Sequence, residues 1–163
     1  MRVIISPYSK QMRNGMPHPK NYPFWREFID MMRVTTNGKC EIIQIGTAGE
    51  ERLVEDCRFN LPFKDLKELL ESADAFICVD NFLHHFAHYY GIRGIVIFGQ
   101  SDPNLFGYKE NVNLLKDRKY LRDKQFWWWE QAEFNQEAFV APEIVLYELM
   151  KFTIQTKKPD IST

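Results

Sequence analysis

The sequence has little of what marks a membrane-spanning, secreted or disulfide-bonded protein. Its apolar runs all fall short of the roughly 20 residues that a helix needs to cross a bilayer. The first residues, MRVIISPYSK, lack the basic and then apolar segments of a secretory signal. The three cysteines, Cys40, Cys57 and Cys78, share no CxxC spacing, which favours free thiols in a reducing compartment. We therefore expect a soluble, cytoplasmic protein.

The chain also lacks an excess of charge of either sign. Its 21 basic and 22 acidic side chains give a formal net charge of -1, so no overall field attracts it to nucleic acid or to an anionic membrane. We expect neither a nucleic-acid partner nor a membrane span. Any phosphate group that the protein binds must be held by local contacts.

Apolar segments alternate with helical patterns along most of the chain. Buried strands are predicted at residues 3–6, 40–45, 75–79, 92–98 and 111–115. Helices are predicted from Pro23 onward and at residues 63–73, 84–90 and 142–153, with a short helix or helical turn at 50–57. Because several strands are apolar on both faces, they predict a mostly parallel sheet that is covered by helices on each side.

This alternation predicts one α/β domain over residues 1–163, a Rossmann-like fold of three layers. Within it, residues 116–140 are predicted to form an aromatic-rich connection, and residues 157–163 a frayed tail. The tryptophans at 127–129 cannot all face one way in a regular element, so we expect one or two to be buried and one exposed. They either anchor the C-terminal segment or form a stacking platform for a sugar or a base.

The segment 75–107 has the order strand, charged turn, helix, strand and polar loop, which is typical of a βαβ unit with a ligand at its carboxyl edge. Asp80 and Asn81 follow the first strand of this unit and precede its helix. The free backbone N–H groups at such a helix start attract phosphate, with a dipole contribution of about 0.3–1 kcal/mol. The alternative is that Asp80 or Asn81 only caps the helix.

Three histidines in this helix, His84, His85 and His88, form the pattern HHxxH. Two imidazoles four residues apart can bind zinc from one helix face, but the glutamate that serves as general base in HExxH is absent from the pattern. We therefore predict no metal, and a helix with one imidazole facing the site.

The run VDNFLHHFAHYYGIRGIVIFGQSDPNLFGY resembles the C-terminal, nucleotide-sugar-binding half of glycosyltransferase family 9, the heptosyltransferase-like enzymes of the GT-B class. The family pattern is Asp-Ser/Thr-Gly-x-x-His, an Ala-rich helix, Gly-x-Pro, a Val-rich strand and Phe-Gly-x-Thr-x-Pro. Upstream, PKNYP at 19–23 resembles the family's Lys-Arg-Trp-Pro, and IGTAGEER at 45–52 resembles its Gly-Gly-x-x-Glu turn. The resemblance covers most of residues 3–108.

The resemblance implies a set of residues around a nucleotide-diphosphate sugar. Lys20 would contact the diphosphate, and Glu50 or Glu51 the ribose hydroxyls. The phosphate and sugar region would be bound by Asp80, Asn81, His85, Gly99 and Ser101, with Phe82 and Asp102 in the sugar pocket. Phe82 stands where the family pattern has glycine, so it either lines that pocket or abolishes binding. No cofactor is implied. As alternatives, Lys20 is a solvated loop charge and Glu50 an acidic residue in the first turn of a helix.

Only the donor-binding half of such an enzyme is matched, and no residue here corresponds to the general base that activates the acceptor. We therefore leave the catalytic residues unassigned and expect a partner chain, or a second copy in a homo-oligomer, to supply the acceptor side. The alternative is a non-catalytic nucleotide-binding module or an interaction protein without transferase activity.

Overall fold

A computed structural model describes residues 1–156 and contains one six-stranded sheet, in the order β3-β2-β1-β4-β5-β6. The strands are β1 (Arg2–Ser6), β2 (Glu41–Gly46), β3 (Asp56–Phe59), β4 (Ala75–Val79), β5 (Ile95–Phe98) and β6 (Val112–Leu115). Every neighbouring pair is parallel. The predicted α/β, Rossmann-like three-layer fold is confirmed, and the sheet is parallel throughout.

Helices cover both faces of the sheet. They are α1 (Trp25–Thr35), α2 (Phe63–Glu71), α3 (Phe82–Tyr89), α4 (Pro103–Phe106) and α5 (Pro142–Thr156). Three short 3-10 helices lie between β6 and α5, at Arg118–Tyr120, Trp129–Gln131 and Gln136–Ala138. Among residues 1–156, no helix combines the length and the apolar character that crossing a membrane requires. The tail predicted at 157–163 lies outside the described residues.

Two apolar cores form because successive residues of a strand point to opposite faces of the sheet. Val3 and Ile5 of β1 pack in the core that contains the buried faces of α1 and α5. Ile4, between them, packs in the other core with residues of α2 and α3. All three side chains are fully buried. This double burial explains why the central strands are apolar at every position.

The helix predicted at 50–57 is wrong. The buried side chain of Gln44 in β2 accepts a hydrogen bond from Leu53 N at 2.8 Å and donates one to Glu51 O at 2.7 Å. These bonds hold the backbone in an open loop, after which β3 pairs with the outer edge of β2. A polar side chain inside the neighbouring strand therefore decides the path of this segment.

The tryptophan run is more exposed than predicted. Trp127 and Trp128 are 72% and 58% exposed, and only Trp129 is partly buried. Trp128 has a left-handed backbone with φ of 61°, which turns the chain between its neighbours. Trp129 is consequently the one indole of the three that lies against the body of the protein.

Candidate functional site

The chain reverses its direction of winding at β1 and β4, which are neighbours in the centre of the sheet. Connections from these strands run to opposite edges of the sheet, and such a switch point is where open α/β sheets bind ligands. A cavity of about 790 Å³ opens there, beside the carboxyl ends of β1, β2 and β4. A second cavity of about 370 Å³ adjoins it and shares Tyr8, His18 and Glu50 in its lining.

Asn81 joins the ends of the two central strands. Its Nδ2 donates to Ser6 Oγ at 2.9 Å and to Tyr8 O at 3.0 Å. Its Oδ1 accepts from Leu83 N at 2.9 Å, so Asn81 is the N-cap of α3. Both polar atoms of this side chain are therefore engaged with the protein itself, as the capping alternative predicts.

Asp80 is buried and paired on both oxygens. Lys20 Nζ lies 2.7 Å from Oδ2, an ion pair in which the side chains are only 16% and 3% exposed. His84 Nε2 lies 3.1 Å from Oδ1. Burial by itself would raise the pKa of Asp80, but the hydrogen bond with His84 and the charge of Lys20 hold it below its usual value. Asp80 thus positions Lys20 and balances its charge.

Two aromatic rings complete the surroundings of the Lys20 ammonium. Its Nζ lies 4.8 Å from the ring centroid of Trp129 and 5.2 Å from that of Phe106, distances at which a cation is attracted to the ring face. Sequence reasoning missed both contacts, since Trp129 is more than 100 residues from Lys20 along the chain. The run of tryptophans was the only signal of this role in the sequence.

Glu50 carries a carboxylate that is half satisfied. Thr47 Oγ1 donates to Oε1 at 2.8 Å, whereas Oε2 is buried and has no hydrogen-bond partner within residues 1–156. Oε2 lies so close to Gly46 that a Cβ there would come within 1.9 Å of it, so a larger residue at position 46 would displace the Glu50 carboxylate. Burial raises the pKa of Glu50, as expected for a carboxylate that lacks donors.

The neighbouring Glu51 is exposed and fully paired. It forms an ion pair with Arg26 and accepts a hydrogen bond from Tyr8 Oη at 3.0 Å. The bonds from Arg26 and Tyr8 lower the pKa of Glu51. Of the two glutamates that the resemblance left open, Glu50 is the one with an unused oxygen atom.

The histidines of α3 occupy different surroundings. His84 is fully buried against Asp80, and exposed His85 shares a hydrogen bond of 2.9 Å between Nδ1 and Tyr108 Oη. Asp80, His84 and His85 could each offer one metal-ligand atom, all within 4.8 Å of one another. The Lys20 ammonium already contacts this carboxylate, however, and its charge opposes a divalent cation. We therefore assign no metal to the cluster.

The predicted residues after β5 do not line the 790 Å³ cavity. Gly99 lies under the ring of Phe139, and Ser101 is fully buried. Asp102 is the N-cap of α4 and pairs with Arg118 at 2.8 Å. The structure thus separates these three residues from Lys20, Glu50, Asp80 and Asn81, which do line the cavity.

Phe82, the residue in the glycine position of the family pattern, lies at the rim of the cavity. It is 54% exposed and stacks on Phe63, with ring centroids 5.6 Å apart. Both rings line the cavity. The bulky side chain leaves the cavity open and adds an apolar edge to it.

The close contact of Gly99 with Phe139 makes a stability prediction. A Cβ at position 99 would lie 2.6 Å from the ring of Phe139, so Gly99→Ala is expected to cost about 1–3 kcal/mol of unfolding free energy through overpacking. Urea denaturation measures it. Ser101→Ala, which removes a buried hydroxyl without a partner in the described chain, is the control and should change stability little. An unchanged stability of Gly99→Ala with weaker ligand binding would instead assign Gly99 to the ligand.

The fold and the cavity define a class, the α/β proteins with Rossmann-like topology and a cavity at the switch point of the sheet. The chain matches no family model, no curated protein and no solved structure.

Proposed function

We propose that this protein binds a nucleotide-diphosphate sugar in the 790 Å³ cavity and serves as the donor-binding half of a glycosyltransferase. The observation that carries the proposal is that an ammonium group, Lys20, and a half-satisfied carboxylate, Glu50, line one cavity at the switch point. The volume is within the range of about 300–1,000 Å³ that is usual for small-molecule sites.

Glu50 suits the ribose of such a ligand. It follows the end of β2, the region in which Rossmann-like folds carry the acidic residue that accepts hydrogen bonds from ribose hydroxyls. Its Oε2 is buried and has no donor within residues 1–156; we propose that the side chain turns toward the cavity on binding, where a ribose hydroxyl supplies the donor. The cost of burying this carboxylate in the free protein would be offset in the complex.

Two lysines suit the diphosphate. Lys20 is held in place by Asp80, Trp129 and Phe106, so little side-chain entropy is lost when it contacts a phosphate. Because Asp80 balances much of its charge, a second cation is needed for a dianionic ligand. Lys10 lines the same cavity and forms no ion pair within the part of the chain that the structure describes.

Sugar transfer would also need an acceptor and a general base within hydrogen-bond reach of it. We propose that a partner chain or a second copy supplies them. The alternative is a non-catalytic nucleotide-binding or interaction protein, and it is favoured by the exposed Phe63 and Phe82 at the rim, which suit a protein contact. Turnover of a bound sugar nucleotide, followed by NMR in the presence of candidate partner chains and acceptors, distinguishes the two functions.

A thermal-shift panel tests binding itself. Purine and pyrimidine nucleoside diphosphates and their sugars are screened at about 100 times Kd, where one site adds about 2.7 kcal/mol. For a chain of this length that corresponds to a rise in Tm of roughly 5–10 °C. The matching nucleosides without phosphate should give a smaller rise. The absence of any shift across the panel would refute the proposal.

A further inference from the structure

His18 lies in the loop between β1 and α1 and lines both cavities of the site. No motif in the sequence points to this residue. Two contacts orient its ring: Nδ1 accepts a hydrogen bond from Lys20 N at 3.2 Å, and the ring lies against Trp129 with centroids 5.1 Å apart. The imidazole and the Lys20 ammonium therefore contact the same indole.

The hydrogen bond from Lys20 N determines which nitrogen of His18 carries a proton. Because Nδ1 accepts, the proton of the neutral ring must be on Nε2. Nε2 makes no hydrogen bond to any of residues 1–156, while the ring as a whole lines the cavities. A neutral donor without a protein partner thus stands beside the lysine of the site.

The surroundings of His18 keep the ring neutral at physiological pH. Burial and the charge of Lys20 lower the pKa of His18 to about 4. The other charged groups that act on it are Asp80 and Glu130, which oppose this shift, and Arg122, which adds to it. Protonation at Nδ1 would also break the hydrogen bond from Lys20 N.

We infer that His18 is a ligand-binding residue whose Nε2–H donates a hydrogen bond to a phosphoryl oxygen of the ligand, beside Lys20. The inference rests on the proposed function and names the group of the ligand that this loop binds. A phosphoryl oxygen is an acceptor only, so it suits a site that offers a donor and a cation side by side. Such charge-assisted bonds correspond to roughly 10–100-fold in affinity.

The test compares two variants at this position by calorimetric titration with ADP, UDP and inorganic pyrophosphate. His18→Phe keeps a ring against Trp129 and removes the donor, so the affinity for the diphosphates should fall by roughly 10–100-fold. His18→Gln keeps an N–H donor at the distance of Nε2 and should lose only a few-fold. Adenosine and uridine should bind all three proteins equally. Equal diphosphate affinity of His18→Phe and wild type would overturn the inference.

A second measurement determines the tautomer of His18 in the free protein. Long-range ¹H–¹⁵N correlation of the imidazole at pH 7 should show the Nε2–H form, and the Nε2 resonance should shift when pyrophosphate is added. A proton on Nδ1 would overturn the inference. The titration with pyrophosphate separates the inference about His18 from the proposed function. If pyrophosphate binds in a way that depends on His18 and no nucleotide binds, the phosphoryl contact of His18 is supported and the binding of a nucleotide-diphosphate sugar is refuted. Binding of none of the three probes overturns the inference about His18, whereas the proposed function falls only if the whole thermal-shift panel gives no shift.

Discussion

Asp80→Ala is expected to lower the unfolding free energy by about 3–5 kcal/mol, the usual cost of removing one partner from a buried ion pair. The side chain of Lys20 is 16% exposed and its Nζ lies 2.7 Å from Asp80 Oδ2, so the variant leaves an ammonium without its counter-charge among aromatic rings. His84 Nε2, fully buried, loses its acceptor as well. The larger part of the cost falls on His84, which is fully buried, because the Lys20 side chain lines the cavity and is partly solvated.

Urea denaturation of four variants, namely Asp80→Ala, Lys20→Met, their double variant and a surface control, separates this pair from an ordinary surface contact. Glu71→Ala breaks the exposed Lys67–Glu71 pair and should leave stability almost unchanged. The double variant Lys20→Met/Asp80→Ala removes both charges together, so its cost should be smaller than the sum of the single costs by roughly 0.5–3 kcal/mol. Additive costs would show that Lys20 and Asp80 do not interact in solution.

The Lys20–Asp80 pair should also make the unfolding free energy depend on pH in the acid range. Since the pKa of Asp80 is lowered in the folded protein, its contribution is present above the unfolded value of 3.8 and is lost as the pH falls below it. The stability difference between wild type and Asp80→Asn should therefore be constant near neutral pH and shrink below about pH 4. A difference that grows on acidification would contradict the ion pair.

Glu50→Gln is expected to weaken nucleotide binding by roughly 100-fold, because two hydrogen bonds from ribose hydroxyls to a carboxylate are replaced by weaker bonds to a neutral amide. The free variant should unfold at the same Tm as wild type or higher. In the wild type, burial raises the pKa of Glu50, and its Oε2 lacks a donor within residues 1–156. The carboxylate therefore does not stabilise the empty protein. Loss of function with retained stability is typical of a binding residue.

Glu51→Gln is the matched control, one position away in the chain. Glu51 is exposed and paired with Arg26 and Tyr8, so its variant should bind the nucleotide almost as wild type does. Both variants are titrated with the nucleoside diphosphate found in the thermal-shift panel and with its 2′,3′-dideoxy analogue, which lacks the ribose hydroxyls. The two titrations measure the affinity of each variant and the part of it that depends on those hydroxyls. Weaker binding by Glu51→Gln with unchanged binding by Glu50→Gln would reverse the assignment of the ribose.

The parallel sheet could be predicted from the sequence because it depends on local patterns. Five of the six strands are apolar runs, and turns or helical stripes separate them. The missed strand, β3, has the sequence DCRF and no fully buried residue. Its pairing depends on the loop that Gln44 holds open, a contact that no pattern within residues 50–57 shows.

The candidate site could be predicted in position but not in detail. One cavity is lined by Lys20, Glu50, Asp80 and Asn81. Each of them lies in a segment that leaves the carboxyl end of a parallel strand, and these ends share one edge of the sheet. Trp129 and His18 were missed. Their roles come from a contact between two loops that are far apart in the sequence.

By itself, then, the sequence determined five of the six strands, the edge of the sheet at which polar residues gather, and the charges available there. The tertiary structure decided which of those groups have partners within the protein. Asp80 is paired with Lys20 and His84, and Asn81 with Ser6 of β1, whereas Oε2 of Glu50 stays without a partner in the described chain. The physical reason is that a buried polar group takes whichever partner the fold brings within hydrogen-bond distance, and residue spacing along the chain does not set that distance.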